Sequence, residues 1–139
     1  TDVAAALGLV QLQRYSGLLQ RRKEIIEKYD KALKTIGVEV LEHYTDEYQS
    51  SGHLYLTRVP GASDKQRREI IVKMAEVGIA CKPFPMHTAY KQMGFDIEDY
   101  PNSYKHYANE ITLPLHTKLT DEEIQYVIDT YCAIVNEYV

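Results

Sequence analysis

The sequence predicts a single α+β domain: a short, mainly antiparallel sheet covered by helices. Three observations carry this. The chain has 139 residues, ordinary for one domain, and 45% of them are apolar, which is enough for a core. Helical and alternating patterns follow one another in the order α-β-β-α-β-α-β-α. The strand candidates are brief and the helices long, so the helices must cover the sheet.

The elements follow in chain order. Thr1 and Asp2 are good N-cap residues for a helix carrying Val3, Leu7, Val10, Leu18, Ile25, Tyr29 and Leu33 near one face. Gly8 and Gly17 weaken it, a bend is expected near Gly17, and Gly37 is a fair stop. "VEVL" at 38–41 is a short strand candidate, and the polar run 42–52 reads as a loop. "HLYLTRV" at 53–59 alternates and is rich in β-branched and aromatic residues, so it is the strongest strand signal. His53 on that strand is expected to be half-buried and hydrogen-bonded.

Ser63 with Gln66 forms a capping-box pattern, and Ile70, Ile71, Met74 and Val77 give the helical face behind it. Ile79-Ala80-Cys81 is a short strand candidate. A Pro-rich stretch follows, then a helix over 101–109 with Pro101 in its first turn, and a brief strand at 111–115. Thr120 with Glu123 is a second capping box. Ile124, Val127, Ile128, Tyr131, Val135 and Tyr138 form an amphipathic stripe on the last helix.

Charge and composition exclude several function classes. The net charge is -4 with acidic and basic residues interspersed, unlike the basic footprint of a nucleic-acid binder. No apolar run approaches the roughly 20 residues that span a bilayer. Cys81 and Cys132 stand far apart, with no CxxC pattern, which predicts a reduced, cytoplasmic domain. The histidines show no metal-ligand spacing, and phosphate-loop, HExxH and GxSxG motifs are absent. His106 is expected to be solvated and His116 to sit in a structured turn.

The stretch "CKPFPMHTAY" at 81–90 holds the chemistry-bearing candidates. A Cys81–His87 nucleophile pair is one reading; a small buried thiol at a strand end is the favoured one. Pro83 and Pro85 fix the backbone before His87, and Lys82 adds positive charge nearby. The residues alone leave two readings open, an anion or substrate contact and a turn shaped by prolines, with the turn favoured.

Four stretches occur in an order that resembles the C-terminal part of the DegT/DnrJ/EryC1/StrS aminotransferases: "TDVAAALGLVQLQRY", "GHLYLTRVPG", "RREIIVKMAEVGIACKPFPMHTAY" and "NEITLPLHTKLTDEEIQYVI". The Thr-Asp opening, the Pro-x-His turn at 85–87 and the Leu-Pro-Leu-His segment at 113–116 are the most specific parts. The resemblance covers essentially the whole chain. It implies the smaller C-terminal domain of a fold type I, aspartate-aminotransferase-like enzyme that uses pyridoxal 5'-phosphate (PLP). The implied reaction is a ping-pong transfer of an amino group, usually from glutamate, to a nucleotide-linked keto-sugar. A surface polysaccharide is the expected destination.

In the family a larger N-terminal domain supplies the cofactor lysine, the carboxylate facing the pyridine nitrogen and most of the phosphate cradle. The resemblance therefore implies that this chain binds no cofactor alone, holds no catalytic residue and is inactive alone. His87 is implied to lie near the sugar-nucleotide, with Lys82 and Tyr90 as further substrate contacts. A homodimer with shared active sites is implied, and the first helix is expected to expose apolar surface.

Relatives carry a few more residues before the Pro-x-His turn, often including Val-His-Tyr; here Cys81 runs directly into Lys82. Either the loop is short in this protein, or residues between the two are missing from this chain. Two other readings stand beside the transaminase: a non-catalytic interaction or dimerisation domain, and a PLP-dependent sugar dehydratase of the same family.

Overall fold

The computed structural model describes residues 1–83 and 88–138. Among these residues the α-helices and strands run in the order α1 (Asp2–Leu33), β1 (Glu39–Val40), β2 (Tyr55–Arg58), α2 (Asp64–Glu76), α3 (Thr88–Gln92), α4 (Pro101–Ala108), β3 (Glu110–Leu113) and α5 (Asp121–Val135). The strands form one antiparallel sheet in the order β1-β2-β3. Register sets Tyr55 opposite Leu113 and Thr57 opposite Ile111.

Strand alternation gives the sheet two faces. Tyr55, Thr57, Val59, Ile111 and Leu113 point inward and are buried. They meet Ile25, Ile26, Tyr29 and Leu33 of α1, Ile70 and Met74 of α2, and the apolar stripe of α5. Leu56, Arg58 and Thr112 lie on the other, half-open face.

Both capping boxes form. Gln66 N–H donates to the Ser63 hydroxyl at 3.3 Å, and Ser63 N–H donates to the Gln66 side chain at 2.9 Å. Thr120 and Glu123 repeat the exchange at 3.1 and 2.8 Å. Arg21 ties α1 to the start of α5, donating to Leu119 O at 2.6 Å and Asp121 Oδ1 at 2.8 Å.

Four expectations are corrected. The bend near Gly17 is replaced by an uninterrupted helix of 32 residues, and a short 3-10 turn at Lys34–Ile36 carries the chain to Gly37. Residues 79–81 form no strand. Gly78 N–H donates to Ala75 O at 3.0 Å and Ile79 N–H to Met74 O at 2.9 Å. This closes the end of α2 and occupies the backbone group a strand would use. Val77 leaves the helical face and is exposed, because the helix has ended. His53 precedes β2 and is exposed; among the described residues the buried histidine is His43. His106 is exposed, and His116 O accepts from Leu119 N–H in a turn, both as expected.

Candidate functional site

The Pro-rich stretch leaves the core beside β3. Cys81 and Lys82 are consecutive, and Lys82 makes a single antiparallel bridge to Thr112. Its N–H donates to Thr112 O at 3.3 Å, and its carbonyl accepts from Thr112 N–H at 2.8 Å. Lys82 is thus fixed by its backbone at the sheet edge while its side chain is exposed. His87, with Phe84, Pro85 and Met86, lies outside the described residues.

Past that stretch, α3, a 3-10 turn at Ile97–Asp99 and α4 form an arm. Tyr90, Lys91, Phe95, Asp96, Ile97, Tyr100 and Ser103 line a groove of about 500 Å³ in it. The rings meet edge to face, Tyr90 to Phe95 at 6.5 Å and Phe95 to Tyr100 at 6.3 Å between centroids. Edge-to-face contact leaves ring faces available to a planar or apolar ligand, and Tyr90 is 60% exposed. Of the two expected substrate contacts among the described residues, Tyr90 lines this groove and Lys82 does not.

A second groove of about 510 Å³ runs between α4 and the open face of the sheet and shares Ile97 and Ser103 with the first. Arg58 on its wall pairs with Glu39 at 2.9 Å and donates from Nε to Asn109 Oδ1 at 3.3 Å. Arg67 anchors the arm to α2. Its buried guanidinium donates to Tyr107 O at 2.8 Å, pairs with Asp64 and lies 4.4 Å from the Tyr107 ring centre.

Sequence reasoning did not single out Phe95, Tyr100, Arg58 or Arg67. The recurrence of Tyr90, Phe95 and Tyr100 every five residues fits neither a helical nor a strand face, and that misfit was the available signal.

Cys81 is buried, and burial pushes its thiol up to about 12. A thiol held protonated at neutral pH is a poor nucleophile, so the site supports the structural reading of Cys81. No three His, Cys, Asp or Glu side chains gather to hold a metal among the described residues. Every lysine of the chain lies among the described residues, and each is exposed or half-buried.

The arrangement can therefore present a wall to a ligand, but it shows no acid-base pair or activated nucleophile among the described residues. The profile of the DegT/DnrJ/EryC1/StrS aminotransferase family matches residues 1–131. The chain belongs to that family.

Among solved members and neighbours, the Streptococcus pneumoniae protein Spr1654 in its PMP form is 50% identical with a TM-score of 0.91. The match covers 100% of this chain and 36% of Spr1654. The spore coat polysaccharide biosynthesis protein SpsC of Bacillus subtilis is 30% identical, over 96% of this chain and 36% of SpsC. A UDP-4-amino-4,6-dideoxy-N-acetyl-beta-L-altrosamine transaminase of Campylobacter jejuni is 28% identical, over 99% of this chain and 37% of that protein. This DegT-family chain thus spans little over a third of the relatives it matches and corresponds to their C-terminal portion. Among the described residues no helix is long and apolar enough to cross a membrane.

Proposed function

We propose that these residues work as the C-terminal, substrate-side part of a cytoplasmic, PLP-dependent aminotransferase. The enzyme transfers an amino group from glutamate to a nucleotide-linked keto-sugar used for surface polysaccharide. The observation that carries this reading is the family match along residues 1–131, with relatives whose names give sugar transamination and polysaccharide biosynthesis. PLP, when bound by a larger domain, supplies the electron sink for moving the amino group.

The share of this chain is to bind and orient. Exposed Lys82, fixed by its backbone at the sheet edge, offers a charge-assisted donor to pyrophosphate oxygens. His87 acts on the same charge from the Pro-x-His turn, and Tyr90 contacts the sugar-nucleotide from the arm. The enzyme is a homodimer, and the 139 residues alone neither hold PLP nor catalyse transamination.

Two experiments test this. A longer polypeptide that contains these residues, given PLP, glutamate and a nucleotide-linked 4-keto-sugar, should release 2-oxoglutarate. Lys82→Ala, His87→Ala and Tyr90→Phe should each raise KM for the sugar and leave KM for glutamate unchanged. Absence of 2-oxoglutarate across such sugars, or equal effects on both KM values, overturns the reading. Separately, the 139 residues mixed with PLP and no borohydride, which would trap the imine of any exposed lysine, should retain no cofactor absorbance after gel filtration; retention would show that they hold PLP themselves.

A further inference from the structure

The polar segment between β1 and β2 lies over α1 and is held there by buried His43 and by half-buried Tyr44, which packs against the core. His43 is 6% exposed, and its ring stacks on Tyr55 with centroids 5.7 Å apart and planes 10° from parallel. Its Nδ1 faces Ser50 Oγ at 3.2 Å, while Nε2 is buried with no hydrogen-bond partner. The remaining ties are few. Ser50 N–H donates to His43 O at 2.8 Å, and Thr45 N–H donates to Tyr48 O at 3.0 Å. Gly52 N–H donates to Ser50 Oγ at 3.0 Å, and Arg22 reaches Ser51 O at 3.3 Å. Gly52 has φ 60°, and a Cβ there would meet Ile26 Cδ1 at 3.0 Å, so the backbone lies directly on α1.

A neutral imidazole has one N–H and one lone pair; the imidazolium has two N–H groups and a charge. Ser50 Oγ can serve Nδ1 in either form. Nothing serves Nε2, so a second proton places a charge in the pocket without a partner there. From α1, Asp30 and Tyr29 face this cluster; from β2, Tyr55 does. Asp30 is already engaged by the Tyr55 hydroxyl at 2.7 Å and by Lys34 at 3.2 Å. Lys23 lies 5.3 Å from the Tyr44 ring centre and 3.9 Å from Glu27, and Arg22 sits at Ser51. Burial holds the His43 ring below the usual histidine range, and the Asp30 charge opposes this only in part.

We propose that His43–Gly52 is an acid-released strap, docked on α1 and Tyr55 while His43 is neutral and freed when the ring takes its second proton. The docked ring binds that proton less readily than the freed one. Docking is therefore complete above about pH 6.5, the ordinary histidine value, and weakens as pH falls below it. The inference stands independently of the sugar-nucleotide reading.

Hydrogen exchange on the protein at about pH 8 and about pH 5, corrected for intrinsic rates, tests it. Protection of the Ser50 and Thr45 amides should fall on the order of tenfold at the lower pH, while the Thr57 and Ile111 amides keep theirs. His43→Phe keeps a ring on Tyr55 and has nothing to titrate, so its strap protection should be equal at both pH values. Asp30→Asn removes the carboxylate that favours the charged ring in the docked state, so the loss of protection at the lower pH should become larger. Unchanged Ser50 protection in the parent protein overturns the proposal. So does a pH response that persists in His43→Phe or fails to strengthen in Asp30→Asn.

Discussion

The hydroxyls of Thr57 and Tyr131 meet 2.7 Å apart in the middle of the core. Thr57 donates its proton to Ile111 O at 2.7 Å, so the Tyr131 hydroxyl must be the donor to Thr57. This relay crosses from α5 to β2 and β3. Thr57→Val leaves the Tyr131 donor buried without an acceptor and should cost about 1–3 kcal/mol. Tyr131→Phe leaves Thr57 bonded to Ile111 and should cost less, under about 1.5 kcal/mol. Urea unfolding of both variants checks the order; a larger loss for Tyr131→Phe would reverse the assigned donor.

Arg67 is 2% exposed, with Asp64, the Tyr107 carbonyl and the Tyr107 ring around its guanidinium. Arg67→Met leaves the partly buried Asp64 short of one cation and frees α4 from α2. A loss on the order of 3 kcal/mol in chemical unfolding is expected. Arg67→Lys keeps the charge but cannot reach Asp64 and Tyr107 O together, so it should restore only part of that stability. Full restoration by lysine would show that charge alone matters here.

The two cysteines should separate in labelling. Cys81 is buried with its thiol pushed up to about 12, while Cys132 is only partly buried and raised less far from the ordinary thiol range. Iodoacetamide at mildly alkaline pH should modify Cys132 well before Cys81, with both reacting alike in urea. Faster modification of Cys81 in the folded protein would mean that its environment opens.

The first half of α1 leaves its apolar face exposed. Val3, Leu7 and Val10 are 73%, 65% and 52% exposed and follow helical spacing. The 139 residues alone should therefore self-associate, with sizing elution that shifts as concentration rises. Leu7→Glu combined with Val10→Glu should hold them monomeric. Unchanging elution of the parent chain across concentrations would count against this.

Local chemistry explains which features were legible in the sequence. Ser63 with Gln66 and Thr120 with Glu123 announce helix starts because the whole capping box lies within four residues. Tyr55, Thr57 and Val59 alternate because one face of β2 is buried. Features set by distant contacts were not legible. His43 is buried and His53 exposed because the segment docks on α1, some twenty residues upstream, and no local pattern encodes that docking. Arginine ordinarily stays at the surface, and the distant Tyr107 joins the nearby Asp64 in making a buried Arg67 tolerable. At the site, the aromatic groove depends on an arm whose helix α3 has five residues, too short to show a period.

The long first helix has a mechanical consequence. Its first seventeen residues are all exposed, and firm burial starts only at Ile25. At about 1.5 Å per residue, that free portion extends roughly 25 Å beyond the part held by the core. A rigid rod of that length is a lever: a tilt of about ten degrees at its fulcrum carries its tip some ~4 Å. The fulcrum lies where Arg21 grips Leu119 O and Asp121, so small adjustments between α1 and α5 would be magnified into displacements the width of a side chain at the tip.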